Sequence, residues 1–143
     1  MRIEWDDEML QQALKDLQKN MPDEVAECMS KACAAVEAEA KARCPVDTGE
    51  LRRSITFDVK QDSDETKGIV GTTIDYAPYV HEGTGIYAKA GNGRKDVPWY
   101  YYSEKDGKLH RTYGNHPQPF LEEAVEAKKQ EIITYFMGVI KNE

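Results

Sequence analysis

His81-Glu82-Gly83-Thr84-Gly85 opens like the zinc-binding stretch of a metalloprotease, in which two histidines one helical turn apart hold the metal and a glutamate activates water. The second histidine is missing here, and the two glycines oppose the helix that would present such a pair. The run from Gly83 to Ala88 also fits a loose dinucleotide fingerprint. That chemistry needs a strand before the glycines and a helix N-terminus after them to receive the pyrophosphate, and Lys89-Ala90-Gly91-Asn92-Gly93 supplies no such helix. Gly91-Asn92-Gly93-Arg94-Lys95-Asp96 lacks the Lys-Ser/Thr pair of a nucleotide phosphate loop. The stretch Asp62 to Gly68 places Lys67 where a calcium loop needs glycine for its sharp turn. Both read as surface turns.

The remaining candidates are weaker. His81, His110 and His116 have no fixed helical spacing and read as hydrogen-bonding or solvent-side residues. No serine stands in a nucleophile elbow, and no cysteine has the surroundings of a catalytic thiolate. Glu122, Glu123 and Glu126 begin the last helical pattern, where negative charge complements the helix dipole, so they need no acid-base role. Trp99-Tyr100-Tyr101-Tyr102 offers rings for stacking on bases, yet a strand with one packed and one partly exposed face accounts for it. The residues therefore assign no catalytic, cofactor-binding or metal site, and the chain is not expected to be an enzyme.

Charge narrows the function classes further. The formal net charge of -7 opposes a sequence-independent grip on DNA, which basic groups must drive by neutralising phosphates. The distribution is uneven. Residues 1–30 carry three basic and eight acidic side chains, a net -5, whereas residues 86–111 carry six basic and three acidic, a net +3. Opposite ends of one copy are thus suited to attract neighbouring copies. No apolar run is long enough to cross a bilayer and no signal-like segment precedes the first acidic residues, so a cytosolic origin without membrane contact is expected. Cys28, Cys33 and Cys44 are odd in number and lack paired metal spacing, so they read as reduced thiols, Cys28 and Cys33 as small buried hydrophobes.

The elements that must position these residues follow from periodicity. Trp5 to Leu17 forms a short amphipathic helix through Trp5, Met9, Ala13 and Leu17, with Leu10 and Leu14 beside them. Pro22 opens a second helix, whose buried stripe is Val25, Met29, Ala32, Cys33, Val36 and Ala40. Its outer face pairs Glu27 with Lys31, Glu37 with Lys41 and Glu39 with Arg43, and Pro45 ends it near Cys44. Pro45 to Ser54 is a turn in which Asp47 or Thr48 caps a short helical piece. The period then changes to two. Ser54 to Val59 and Ile69 to Ile74, joined by a polar connection from Gln61 to Lys67, predict one antiparallel hairpin. Trp99 to Ser103 and Leu109 to Tyr113 predict a second around Asp106-Gly107, in the same sheet, with a long loop at 83–97 between the two hairpins. Pro119 opens a long terminal helix with Leu121, Val125, Ile132, Phe136 and Ile140 inward. The expectation is a single α+β domain spanning 1–143: N-terminal helices at 1–44, antiparallel sheet at 45–114 and a C-terminal helix at 115–143.

One ordered series is left over: Pro45-Val46-Asp47-Thr48-Gly49-Glu50-Leu51-Arg52-Arg53-Ser54-Ile55, then Gly71-Thr72, then Tyr76-Ala77-Pro78-Tyr79-Val80-His81-Glu82-Gly83-Thr84-Gly85, then Pro119-Phe120-Leu121. Jointly these resemble the gene-product-ten-like tail-component family of lambdoid phages, over nearly the whole chain from about Pro22. His81 departs from the acidic or aromatic residue common there, and the stretch from Ile86 to Tyr113 is peculiar to this chain.

The resemblance implies a non-enzymatic virion protein of the phage neck, a tail completion or head-tail joining subunit without cofactor, assembled in the host cytoplasm. Its implied partners are copies of itself in a ring, a hexamer, together with the tail tube protein and head-closure or portal-side neck proteins. DNA would pass through the ring without specific binding. Within that role Pro45, Asp47, Thr48, Gly49, Leu51, Ile55, Pro119 and Phe120 read as structural. Arg52, Arg53, Tyr76, Tyr79, Glu82, Gly83, Thr84, Gly85, Lys89, Arg94 and Lys95 read as candidates for contact between copies. The alternative is a small phage-encoded DNA-binding or DNA-acting factor, supported by the basic segment and the tyrosine run.

Overall fold

The computed structural model of the chain describes residues 2–3, 15, 17, 19–46, 49–63 and 65–141. Most of the predicted first helix, Trp5 to Leu17, lies outside these, as do Asp47 and Thr48 with their capping role. Leu17 is described, helical and buried. The elements are β1 (Arg2–Ile3), α1 (Pro22–Arg43), α2 (Glu50–Ser54), β2 (Thr56–Gln61), β3 (Thr66–Gly71), α3 (Ala77–Glu82), a 3-10 turn (Gly85–Tyr87), β4 (Trp99–Ser103), β5 (Lys108–Thr112) and α4 (Phe120–Lys141). Helices with two antiparallel hairpins and a C-terminal helix make the chain α+β, as the periodicities predict. The chain divides into two compact units, one of Met1–Thr73 with Phe120–Glu143 and one of Ile74–Pro119.

In the first unit, α1 starts at Pro22, whose missing N–H costs nothing in a first turn, and Asp23 and Glu24 lie at the positive end of its dipole. It stops where Cys44 turns extended ahead of Pro45. Its buried residues are Val25, Cys28, Ala32, Cys33, Val36 and Ala40; Cys28 is buried as expected, while Met29 is half-buried with its sulfur over Gly68 of β3. Strict spacing by four runs ahead of the 3.6-residue turn, and the stripe drifts accordingly. The same drift acts in α4, which buries Phe120, Leu121, Ala124, Ile132 and Phe136 but leaves Val125 and Ile140 half-buried. Helices α1 and α4 pack together, and α1 also covers β2 and β3. Arg43 ties the two helices on the outside, donating to Glu39 on its own helix at 2.8 Å and to Glu123 of α4 at 3.2 Å. Lys41 pairs with Glu37 at 2.8 Å, while Glu27 and Lys31 instead line a groove of about 190 Å³ with Glu24, Cys28, Tyr135 and Val139.

The first hairpin lies nearer its turn than its hydrophobic pattern places it: each strand has six residues, as expected, but Ser54 belongs to α2 and residues 72–74 lie past the end of β3. β2 and β3 pair from Thr56 with Gly71 through to Gln61 with Thr66, so both strands reach into the expected polar connection. Asp62 closes the turn twice: its N–H donates to the Glu65 carbonyl at 2.9 Å and its carboxylate accepts from the Glu65 N–H at 2.8 Å. The expectation of one sheet holding both hairpins is overturned. The strand order is β1-β3-β2 in one sheet, and β4-β5 form a separate two-stranded sheet. β1, pairing with Val70 and Gly71, occupies the edge of β3 opposite β2. Two residues are too few to leave a periodic signal, so the competition for that edge is invisible before folding.

Candidate interaction surface

The motif that begins at Pro45 divides into an inward and an outward half. Gly49 adopts φ +82° at the start of α2, and the short helix then buries Leu51 and Ile55 and exposes Arg52 and Arg53. The Ser54 hydroxyl is 2.6 Å from the Leu51 carbonyl and 2.6 Å from the hydroxyl of Thr72, which is buried just beyond β3. This pairing explains why Gly71-Thr72 accompanies the Pro45 segment: the two motifs meet through a part-buried hydroxyl pair. Pro45 is half-buried and Phe120 fully buried, both in the same unit.

The other candidates lie in the second unit, except Arg52 and Arg53. In α3, Ala77 and His81 stand four apart and are both 0% exposed, so they anchor one face of the helix. Tyr76 and Tyr79, three apart, are 41% and 64% exposed on the other. The buried His81 Nδ1 lies 2.6 Å from a Glu82 carboxylate oxygen; an ionised carboxylate accepts, which places the hydrogen on Nδ1. His81 is therefore a packed, hydrogen-bonded residue, and among the described residues no three His, Cys, Asp or Glu side chains gather as metal ligands would.

The segment after α3 is laced to the segment after β5. The Thr84 N–H donates to the Asn115 carbonyl at 2.9 Å, the Asn115 N–H donates to the Thr84 hydroxyl at 2.8 Å, and the Ile86 N–H donates to the Tyr113 carbonyl at 3.2 Å. Lys89 N–H reaches back to the Glu82 carbonyl at 2.8 Å, and Gln118 N–H to that of Val80 at 3.0 Å. Two glycines make the approach possible. Gly85 has φ +62°, and a Cβ there would stand 2.0 Å from the Tyr113 carbonyl oxygen; Gly114 has φ +126°, and a Cβ would stand 2.1 Å from that of Thr84. Gly83 and Gly85 are themselves buried, so they act through the backbone they bring together. The Tyr87 and His116 rings, with centroids 3.9 Å apart, close the same clasp. The expected long loop at 83–97 is thus partly built structure, and near its end the Arg94 guanidinium lies 5.0 Å over the Trp99 ring. Lys95 donates to the Gly91 carbonyl at 3.2 Å, and Lys89, Arg94 and Lys95 all remain exposed.

The β4–β5 ribbon carries residues that the motif reading did not single out. Tyr101 faces His110 in the register, their rings stacked at 5.4 Å. His110 Nε2 is 2.6 Å from Asp106 in the turn. Desolvation raises the Asp106 carboxyl, but the Lys108 N–H and the His110 ring together outweigh it and hold the group below its ordinary value. On the opposite face, Tyr100 and Tyr102 are 62% and 65% exposed beside Leu109 at 67%. Tyr101 is 47% exposed as well, so the expected packed face is only half realised, by Trp99 and Ser103. The alternation of the strand was the signal available in sequence; which face lacked a cover was not.

The match to a known family covers the inward motifs and the tyrosine helix. It runs over residues 7–83, which takes in α1, α2, β2, β3 and α3 and stops at Gly83. No curated protein and no solved structure matches the chain. A match over more than half of the residues establishes membership: the chain belongs to the HK97-gp10-like family, described as "Bacteriophage HK97-gp10, putative tail-component".

Proposed function

We propose that this member of a phage tail-component family is a ring subunit of the phage neck, a tail completion or head-tail joining protein that works by assembly. The observation that carries the reading is where apolar surface is left uncovered. Of the eleven large hydrophobic side chains exposed among the described residues, eight, from Tyr76 to Tyr113, belong to the Ile74–Pro119 unit. Exposed aromatics concentrated in one unit whose backbone is held by a glycine clasp have the composition of a protein contact surface. Lys89, Arg94 and Lys95 add positive charge to that unit, and the first thirty residues carry the complementary net -5. A patch that binds a different patch on the next copy closes into a ring when the rotation allows, and a hexamer is the stoichiometry proposed. The tail tube on one side and head-closure or portal-side proteins on the other are its proposed neighbours, at the head-tail junction of the virion.

The joining of purified heads and tails, followed by light scattering and infectivity, tests the assignment. Joining should require the protein. It should fail with Arg94→Glu/Lys95→Glu, whose circular dichroism should match the wild type. Normal joining without the protein would refute the reading. Tight, steeply salt-dependent binding of short DNA in a gel shift would favour the DNA-binding alternative.

A further inference from the structure

The strand β2 has only one strand neighbour among the described residues, β3. Thr56, Phe57, Asp58, Lys60 and Gln61 are exposed, so the outer edge of β2 is open to solvent. Which of its backbone groups point outward follows from the turn. Antiparallel pairs alternate between hydrogen-bonded and non-bonded. The N–H of Asp62 donates to Glu65, so that pair is bonded, and the next pairs along the register alternate from it. Gln61 with Thr66, Val59 with Gly68 and Phe57 with Val70 are then the non-bonded pairs. The N–H and C=O groups of Phe57, Val59 and Gln61 accordingly face away from β3, towards the open edge.

That edge is complementary to itself. Turned about a two-fold axis at Val59, β2 of a second copy runs antiparallel to the first and sets Phe57 opposite Gln61, Val59 opposite Val59 and Gln61 opposite Phe57. All three pairs present outward groups to one another, and together they make a full ladder. Between them Asp58 stands opposite Lys60 twice, at non-bonded sites where facing side chains approach most closely. Asp58 and Lys60 lie on the face away from α1, since Val59 shares its face with Gly68, where a Cβ would meet Cys33 and Met29 of α1. Moving the axis to Phe57 sets Asp58 opposite Thr56 and loses both ion pairs. Lysine on an open edge ordinarily guards against strand addition. Here Asp58, two residues away on the same face, turns the guard into a register-specific pair.

We infer that two copies of this chain associate edge to edge through β2, with Val59 on the two-fold axis and Asp58 of each copy paired with Lys60 of the other. The contact lies in the first unit and is independent of the ring contact proposed for the second. It therefore gives the free protein a dimeric state before ring assembly.

Light scattering coupled to gel filtration, on the full chain over a range of concentrations, tests it. The wild type should approach twice the 16.3 kDa chain mass and dissociate on dilution. Asp58→Lys and Lys60→Asp should each weaken the dimer by about tenfold or more, because each sets like charges opposite one another twice. The double swap Asp58→Lys/Lys60→Asp should restore it, and mixing the two single variants should yield a heterodimer. Arg94→Glu/Lys95→Glu should leave the dimer intact, which separates this contact from ring formation. Hydrogen exchange on the wild type needs no variant: the amides of Phe57, Val59 and Gln61 should be protected at high concentration and exposed on dilution. A monomer at all concentrations, an assembly indifferent to both single charge variants, or open-edge exchange of those amides in the associated state would each overturn the inference.

Discussion

At the scale of single residues, the side chains that first invite a chemical reading turn out to do structural work. His81, which opens a metalloprotease-like string, is fully buried against Glu82. The glycines that imitate a nucleotide loop let two backbone segments touch. Gly85→Ala should therefore cost about 2 kcal/mol or more, since a side chain is strained at positive φ and its Cβ would overlap the Tyr113 carbonyl. A urea melt would measure it, and an unchanged midpoint would contradict the packing described. The thiols give a pH prediction. Burial pushes Cys28 and Cys33 up to about 11, with Lys31 lowering and Glu27 raising Cys28, and Glu37 raising Cys33. A raised folded pKa keeps its stabilisation below the unfolded value of about 8.5 and loses it as pH climbs towards the folded one. Stability should thus fall between about pH 8.5 and pH 11, and Cys28→Ala/Cys33→Ala should flatten that fall in denaturant titrations.

At the scale of elements, pairing between segments distant in sequence decides which residues matter. The hydroxyl pair Ser54–Thr72 joins the end of α2 to the end of β3. Ser54→Ala leaves the buried Thr72 hydroxyl without this partner and should cost about 1 to 2 kcal/mol. A double-mutant cycle with Thr72→Val should show positive coupling; strict additivity would deny that the bond contributes. In α4, Phe136 is 1% exposed and lies on the stripe that packs against α1. Phe136→Ala should destabilise by about 3 to 5 kcal/mol in thermal or denaturant unfolding. Met137, adjacent but 42% exposed, should tolerate alanine with little change.

For the whole molecule, the residues proposed for contact between copies separate by unit. Tyr76, Tyr79, Glu82, Thr84, Lys89, Arg94 and Lys95 belong to the Ile74–Pro119 unit, and Arg52 and Arg53 to the other. The family match likewise ends at Gly83, before the β4–β5 ribbon. The ribbon, like α4, therefore lies outside the matched residues, and its exposed face is proposed to choose the neck partner. Tyr100→Ser/Tyr102→Ser/Leu109→Ser should abolish joining of heads to tails while the thermal midpoint of the isolated protein shifts little, because these side chains are mostly exposed. Retained joining would move partner choice to another surface.

The amino-acid sequence by itself determined the class of fold, both hairpins, the reach of α1 and α4 and the family. Each of these rests on local patterns: a period of 3.6 or 2, proline at a helix start, Asp-Gly in a turn, and motifs kept in order. Only the tertiary structure decided that β1 takes the far edge of β3, that the hairpins form separate sheets, that His81 is buried and that Tyr101 is not covered. These outcomes depend on which of several sticky edges and faces finds a partner first in space. Strand pairing and burial are settled by competition among segments far apart in the chain, and no local spacing records the winner.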